Sequence, residues 1–168
     1  EYDPATPTGL QVLPLLAEAW SVASDGLQWP FTLRGDARFF DPWDPPLWPG
    51  RTRAVEAADV AWSWLQQADA RASGNSWFMF SGLIRGLDEL RAATQGADAA
   101  AAWNRALAEG VPGLEALDAR HLRLTLLWPD RFLLQRLTSQ AFGVVPREIA
   151  TRAALTPREH PVGSGPFA

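Results

Sequence analysis

A mixed α/β fold of α+β character, with a small, mostly antiparallel sheet under several covering helices, is predicted by three observations. Two runs alternate apolar and polar residues: Trp29, Phe31 and Leu33 against Gln28, Thr32 and Arg34, then Leu122, Leu124, Leu126 and Trp128 against Arg123 and Thr125. Period-two alternation marks strands with one buried face. Three stretches, 56–71, 76–93 and 98–109, carry apolar residues at helical spacing. Ser24-Asp25-Gly26, just before the first alternating run, is a hairpin turn signal.

Along the chain, residues 1–15 read as an extended arm punctuated by Asp3-Pro4 and Thr6-Pro7-Thr8-Gly9. Leu15 to Trp20 is too short to specify a helix and fits a short turn. In the first strand, Pro30 cannot donate to a ladder, so an edge position or a bulge is expected there. Residues 35–53 hold Pro42, Pro45, Pro46 and Pro49 among Phe39, Phe40, Trp43 and Trp48. They read as an irregular inserted loop laid against the body.

The first helix presents Ala58, Ala61, Trp62, Leu65 and Ala68 as its main stripe, with Val60 and Trp64 beside it. The second aligns Phe80, Leu83, Ile84, Leu87 and Leu90. The third, within 97–109, has only Trp103 and Leu107 as large apolar residues and reads as peripheral, so Trp103→Ala should cost less than Trp62→Ala. Asp98 suits its N-cap, and Gly110 with Pro112 stops it. A short helix follows Pro129-Asp130. Residues 142–146 read as extended, Thr156 to Pro161 as a loop, and Val162 to Phe167 as a glycine-rich turn.

A chain of 168 residues, 47% hydrophobic and 20% charged, has the size and composition of one globular domain. Its net charge of −4 provides no basic field for nucleic acid or an anionic membrane surface. All fifteen basic residues are Arg. The absence of Cys excludes disulfides, thiolate metal sites and a cysteine nucleophile within the chain. No apolar run is long enough to span a bilayer. The abrupt start at Glu1 and stop at Ala168 point to an excised segment. Nine Trp are unusual, and most are expected in the core.

Catalytic constellations are missing. His121 and His160 are isolated and read as surface residues, so no metal site is expected. Asp41, Asp44, Glu56 and Asp59 cluster in sequence, yet solvated loop and helix-start charges explain them without a hydrolytic pair. Gly163-Ser164-Gly165-Pro166 lacks the Lys and the following helix of a phosphate cradle. Gly82 and Gly86 have small-xxx-small spacing but enclose Arg85 in an amphipathic stretch. Neither an enzyme nor a cofactor is expected.

Seven segments in order resemble the family 5 extracellular solute-binding proteins, the peptide- and nickel-type receptors of ABC importers. They are Leu16-Ala17-Glu18-Ala19-Trp20, Ser24-Asp25-Gly26-Leu27, Phe31-Thr32-Leu33-Arg34, Phe39-Phe40-Asp41, Glu56-Ala57-Ala58-Asp59-Val60, Leu124 to Pro129, and Val162 to Phe167. Two positions depart from the family pattern: Glu56 stands where the family has a capping Thr, and Pro42 where it has the Gly of an Asp-Gly turn.

The resemblance implies that residues 1–168 form a single partial domain, a segment of lobe I in a type II periplasmic-binding fold that closes on solute between two lobes. It implies capture of peptides or similar small solutes without catalysis, delivery to ABC permease subunits, and a periplasmic or extracellular location with a lipid anchor as one option. It places Trp77 and Phe78, after the first long helix, and Ser139 and Gln140, before Val144-Val145-Pro146, near ligand. Gly163, Ser164, Gly165 and Pro166 become the crossover turn toward the second lobe. The alternative is a ligand-sensing domain of the same fold in a transcription regulator, marked by an upstream helix-turn-helix in place of a signal peptide or lipobox. A stand-alone enzyme or scaffold domain would instead require a reading frame ending near Ala168.

Overall fold

In the computed structural model, residues 11–72, 76–151 and 161–164 are described. Four strands form the main sheet in the order β1 (Ala17–Trp20), β2 (Gln28–Leu33), β6 (His121–Thr125), β5 (Leu114–Ala116), with every pairing antiparallel. The β1–β2 hairpin turns at residues 24–26, as its turn residues predict, and Asp25 Oδ1 accepts the Leu27 N–H at 2.9 Å. Trp29 stands opposite Leu124, and Phe31 opposite Leu122. All four side chains are buried, so the predicted alternation sets the inner face of the sheet.

Three strand expectations need correction. Leu15 to Trp20 is no mere turn, because Ala17–Trp20 pairs with β2 as an edge strand. Pro30 lies in an interior strand; the irregularity in pairing falls on β1, between Ala17 and Ala19. Phe31 and Trp29 use their backbone groups toward β6, so the donor Pro30 lacks would point at Ser21, just past the end of β1. Its carbonyl still accepts the Ser21 N–H at 3.1 Å. The third correction is at the far end of β6, which stops at Thr125, leaving Trp128 51% exposed.

Residues 35–53 are more regular than their prolines suggest. β3 (Arg38–Phe40) and β4 (Thr52–Ala54) pair antiparallel as a second, two-stranded sheet. Around Phe39 a second core gathers Val55, Ile149 and Val162, with Leu47, Trp48 and Val144 against it. Asp41 is buried because its carboxylate accepts the backbone N–H groups of Trp43 and Leu47, pinning the loop from within.

Helix α1 covers Ala57–Leu65 and passes into a 3-10 turn at Gln66–Ala68. At its start Asp59 accepts the Glu56 N–H at 2.9 Å, while the Glu56 carboxylate reaches Arg147 at 3.0 Å. The face turned to the core is Ala57, Val60 and Trp64, with Leu65 at the boundary. Of the stripe expected to dominate, Leu65 and Ala68 are buried in the main core, while Ala58, Ala61 and Trp62 are only half-buried.

The long helix expected over 76–93 is broken. Trp77–Met79 is a 3-10 turn, and only α2, Leu87–Ala93, is α-helical. Gly82 and Gly86 have φ of +69° and +89°, a region that favours glycine and ends a right-handed helix. Between them Ile84 pairs with Leu126, and Arg85 donates to the Thr125 carbonyl at 3.0 Å, so the segment extends the sheet. Phe80, Leu83, Ile84, Leu87 and Leu90 are nonetheless all buried in the main core.

Helix α3, Ala99–Glu109, starts after Asp98, whose side chain makes no capping bond, and ends at Gly110. Ala106 is its one buried residue. Helix α4, Leu133–Leu137, buries Leu133 and leaves Phe132 exposed.

The surface carries carboxylates paired locally with Arg. A hydrogen bond from Arg34 holds the Asp36 carboxyl down at about 2. Arg71 lowers Asp69 and Arg123 lowers Glu115, while backbone N–H of Arg120 and the His121 ring lower Asp118. A carboxylate with a depressed folded-state pKa contributes stability above its unfolded value, about 4, and loses it as pH falls through the folded value. Melting temperature is therefore expected to stay level from neutral pH to about 5 and then to fall toward pH 2 to 3. A melting temperature that rises over that acid range contradicts this electrostatic picture.

Candidate ligand-binding site

Three aromatic rings join the two segments expected near ligand. Phe80 and Phe142 lie 4.4 Å apart between centroids, and Trp64 meets Phe142 edge-on at 5.4 Å. The Trp64 indole donates to the Phe142 carbonyl at 3.0 Å, a satisfied buried polar group. From this triad the chain runs back to Trp77 and Phe78 on one side, and to Ser139 and Gln140 on the other.

Trp77 is half-buried against the main core. The Arg91 guanidinium covers its ring at 5.2 Å and donates to the carbonyls of Gln67 and Asp69, so the ring is held from outside. Trp77 thus neither swings free nor packs under 35–53, whose aromatics Phe39 and Trp48 belong to the second core. Phe78, next in the turn, is 80% exposed. Ser139 is half-buried and opens the 3-10 turn Gln140–Phe142, its Oγ accepting the Ala141 N–H at 3.3 Å. Gln140 is exposed. Sequence reasoning did not find Arg91; a cation fourteen positions from Trp77 leaves no local signature.

The crossover turn is described only in its first half. Gly163 bridges β3 antiparallel, its carbonyl accepting the Phe40 N–H at 3.0 Å, and Ser164 is an exposed bend. Gly165 and Pro166 lie outside the described residues.

Beneath this end of α1 sits an ion cluster that sequence order hides. Arg53 donates to both carboxylate oxygens of the fully buried Asp59, at 2.9 and 2.8 Å, and to Glu148 at 2.6 Å. Its guanidinium also lies over the Phe39 and Trp48 rings. Burial opposes the Arg53 charge, but the hydrogen bonds of Asp59 and Glu148 hold its pKa above the ordinary value. The carboxylates near 41–59 are thus engaged in structure: Asp41 in its loop, Asp59 with Arg53, Glu56 with Arg147, and Asp44 with Arg51. His121 pairs with Asp118 at 2.8 Å, and His160 lies outside the described residues. Among the described residues, no three His, Cys, Asp or Glu gather as a metal site. None of the described helices is long and apolar enough to cross a membrane.

Residues 11–168 match the sequence model of the bacterial extracellular solute-binding proteins, family 5 Middle. The chain belongs to this family. It is 27% identical to the peptide transport periplasmic protein SapA of Salmonella typhimurium, over 99% of this chain and 27% of that protein. Against the dipeptide-binding protein of Escherichia coli the identity is 28%, over 94% of this chain and 26% of the relative. The chain therefore spans about a quarter of the length of these relatives.

Solved structures agree in fold. The periplasmic oligopeptide-binding protein OppAIV of Borrelia burgdorferi superposes with a TM-score of 0.65 at 23% identity, over 90% of this chain and 26% of that one. DppA of Helicobacter pylori, solved with the peptide STSA, gives 0.63 at 22% identity, over 94% and 28%. The family 5 chain thus has the fold of one portion of a periplasmic binding protein.

Proposed function

We propose that this family 5 chain is a lobe I portion of the substrate-capture component of an ABC importer, binding peptides or similar small solutes and catalysing nothing. The family match across residues 11–168 carries the reading. The names of the relatives, a peptide transport periplasmic protein and a dipeptide-binding protein, favour peptides as the solute and a periplasmic setting. They also favour the receptor over the sensing domain of a regulator. ABC permease subunits are the partners of such a receptor, and a lipid anchor is one way it is retained near them.

Within the chain, Phe78 offers an exposed flat ring on a turn fixed by Phe80, and Trp77 and Gln140 border the same aromatic triad. Such a ring can stack on varied side chains without demanding a single geometry. Ser139 supports this edge by capping its turn, and the 163–166 turn serves as the crossover toward the second lobe.

Calorimetric titration of the complete protein with di-, tri- and tetrapeptides tests the assignment. Micromolar or tighter binding is expected, with Phe78→Ala weakening it about tenfold at unchanged melting temperature. Binding of sugars or nickel chelates in place of every peptide overturns the peptide assignment. Peptide-dependent DNA binding by the complete protein overturns the importer reading.

A further inference from the structure

Helix α1 leaves Ala58, Ala61 and Trp62 only half-buried, and they border an open groove of about 520 Å³ against β5 and the last turn of α3. That volume falls in the range of small-ligand sites, roughly 300–1,000 Å³. Ala58 and Ala61 give the groove its floor, since neither carries more than a methyl. Leu107, from α3, is 47% exposed on its wall.

Three charged residues line the groove, and two of them are already balanced. Both carboxylate oxygens of Glu115 accept from Arg123, and Arg147 donates to Glu56 at 3.0 Å. Glu109, exposed at the end of α3, has no ion-pair partner among the described residues; Arg105, one turn earlier, does not pair with it. The Gly110 N–H caps only the Ala106 carbonyl, so the carbonyls that follow stay open at the negative end of the helix dipole. The groove therefore keeps one unbalanced negative charge, at the place where the helix adds to it. A carboxylate there opposes helix stability, so folding does not account for it.

An aromatic face lies on the same groove. Arg guanidinium groups cover the rings of Trp48, Trp77 and Trp103. Trp62 has no such cover among the described residues, and its indole N–H makes no hydrogen bond there. Ala57, at the start of α1, bonds to Ala119 beyond β5, so Ala58 lies toward the Arg147 end and Trp62 further along, toward Glu109. An open indole face and an unbalanced carboxylate both attract a cation.

We propose that this groove binds a small organic cation of the quaternary ammonium class that carries an apolar body. The cationic head lodges between Trp62 and Glu109 beside the open α3 carbonyls, and the apolar body lies on Ala58 and Ala61. A quaternary head suits this half-apolar place because, unlike a compact ammonium, it holds its water weakly. The ligand differs in chemical class from a peptide, and the assignment needs no ligand at Phe78. Leu65, which also lines the groove, follows Trp64 of the aromatic triad, so the decisive contacts are those at Trp62 and Glu109.

Methyl NMR spectra of the complete protein, labelled at Ala and Leu, test it with benzyltrimethylammonium and, as the uncharged comparison, benzyl alcohol. The cation is expected to shift the Ala58, Ala61 and Leu107 methyls with a Kd of about 1 mM or tighter, and benzyl alcohol to bind at least about tenfold more weakly. Glu109→Gln is expected to weaken the cation several-fold and leave benzyl alcohol unchanged, and Trp62→Leu to weaken the cation about tenfold. Equal binding of benzyl alcohol, or a cation affinity indifferent to Glu109→Gln, overturns the cation assignment. Absence of shifts at these methyls, or shifts confined to residues around Phe78, Phe80 and Phe142, overturns the groove. Calorimetric peptide binding by the same protein decides the transport reading separately, so either can fail while the other stands.

Discussion

Replacing Arg53 with Ala is expected to destabilise the fold by about 3–5 kcal/mol, the usual effect of leaving a buried charge without its partner. Asp59 is fully buried and would lose both guanidinium bonds, and Glu148 would lose the same donor. The Phe39 and Trp48 rings would also lose the plane that covers them. For a domain of this size the melting temperature is expected to fall by roughly 6–20 °C. Arg53→Lys is expected to recover only part of that loss, because an ammonium cannot serve two carboxylates and the Ala54 carbonyl, which Arg53 reaches at 2.7 Å, while stacking on two rings. Chemical denaturation of both variants checks the order; a loss below 1 kcal/mol for Arg53→Ala would show that the cluster does not fix α1 to β4.

Trp64→Ala should produce a loss of similar size, about 3–5 kcal/mol, through a different mechanism. The indole fills space among Phe80, Phe142 and Val60, and its N–H saturates the Phe142 carbonyl. Truncation leaves both a cavity and an unpaired acceptor. Trp62 and Trp103 are only partly buried, so their Ala variants are expected to cost about 1 kcal/mol or less each. Thermal melts of the three variants give the test: Trp62→Ala falling as far as Trp64→Ala would contradict the observed rotation of α1.

That rotation shows where the sequence was ambiguous. Ala58-Ala61-Trp62 and Ala57-Val60-Trp64 are neighbouring stripes, each carrying a Trp, and hydrophobic spacing does not rank them. The choice is made by Asp59, which must face Arg53 and so turns Val60 and Trp64 inward. Arg53, Asp59 and Glu148 are too dispersed in sequence to read as a cluster. Strand β2 was legible because one face is fully covered, giving clean alternation. Strands β1 and β5 were not, because four and three residues offer no period to detect.

In the 76–93 stretch the burial of Phe80 to Leu90 was legible but the helix was not, since the same five residues can be covered by a turn, a bridge and a short helix in succession. Gly82 and Gly86 carried the warning. At the site, the resemblance brought Trp77, Phe78, Ser139 and Gln140 forward, and the structure sorts them by exposure: Phe78 and Gln140 outward, Trp77 and Ser139 engaged in support.

The central seam of the sheet joins Gln28 to Thr125 and Thr32 to His121, partners nearly a hundred residues apart in the longest case. Closing so large a loop delays the middle of the sheet until nearly a hundred residues beyond β2 have been synthesised, and pairings this distant in sequence slow folding. Until then the early hairpin presents Trp29, Phe31 and Leu33 to water along an unpaired margin. During biogenesis that margin is where a holdase would be expected to bind.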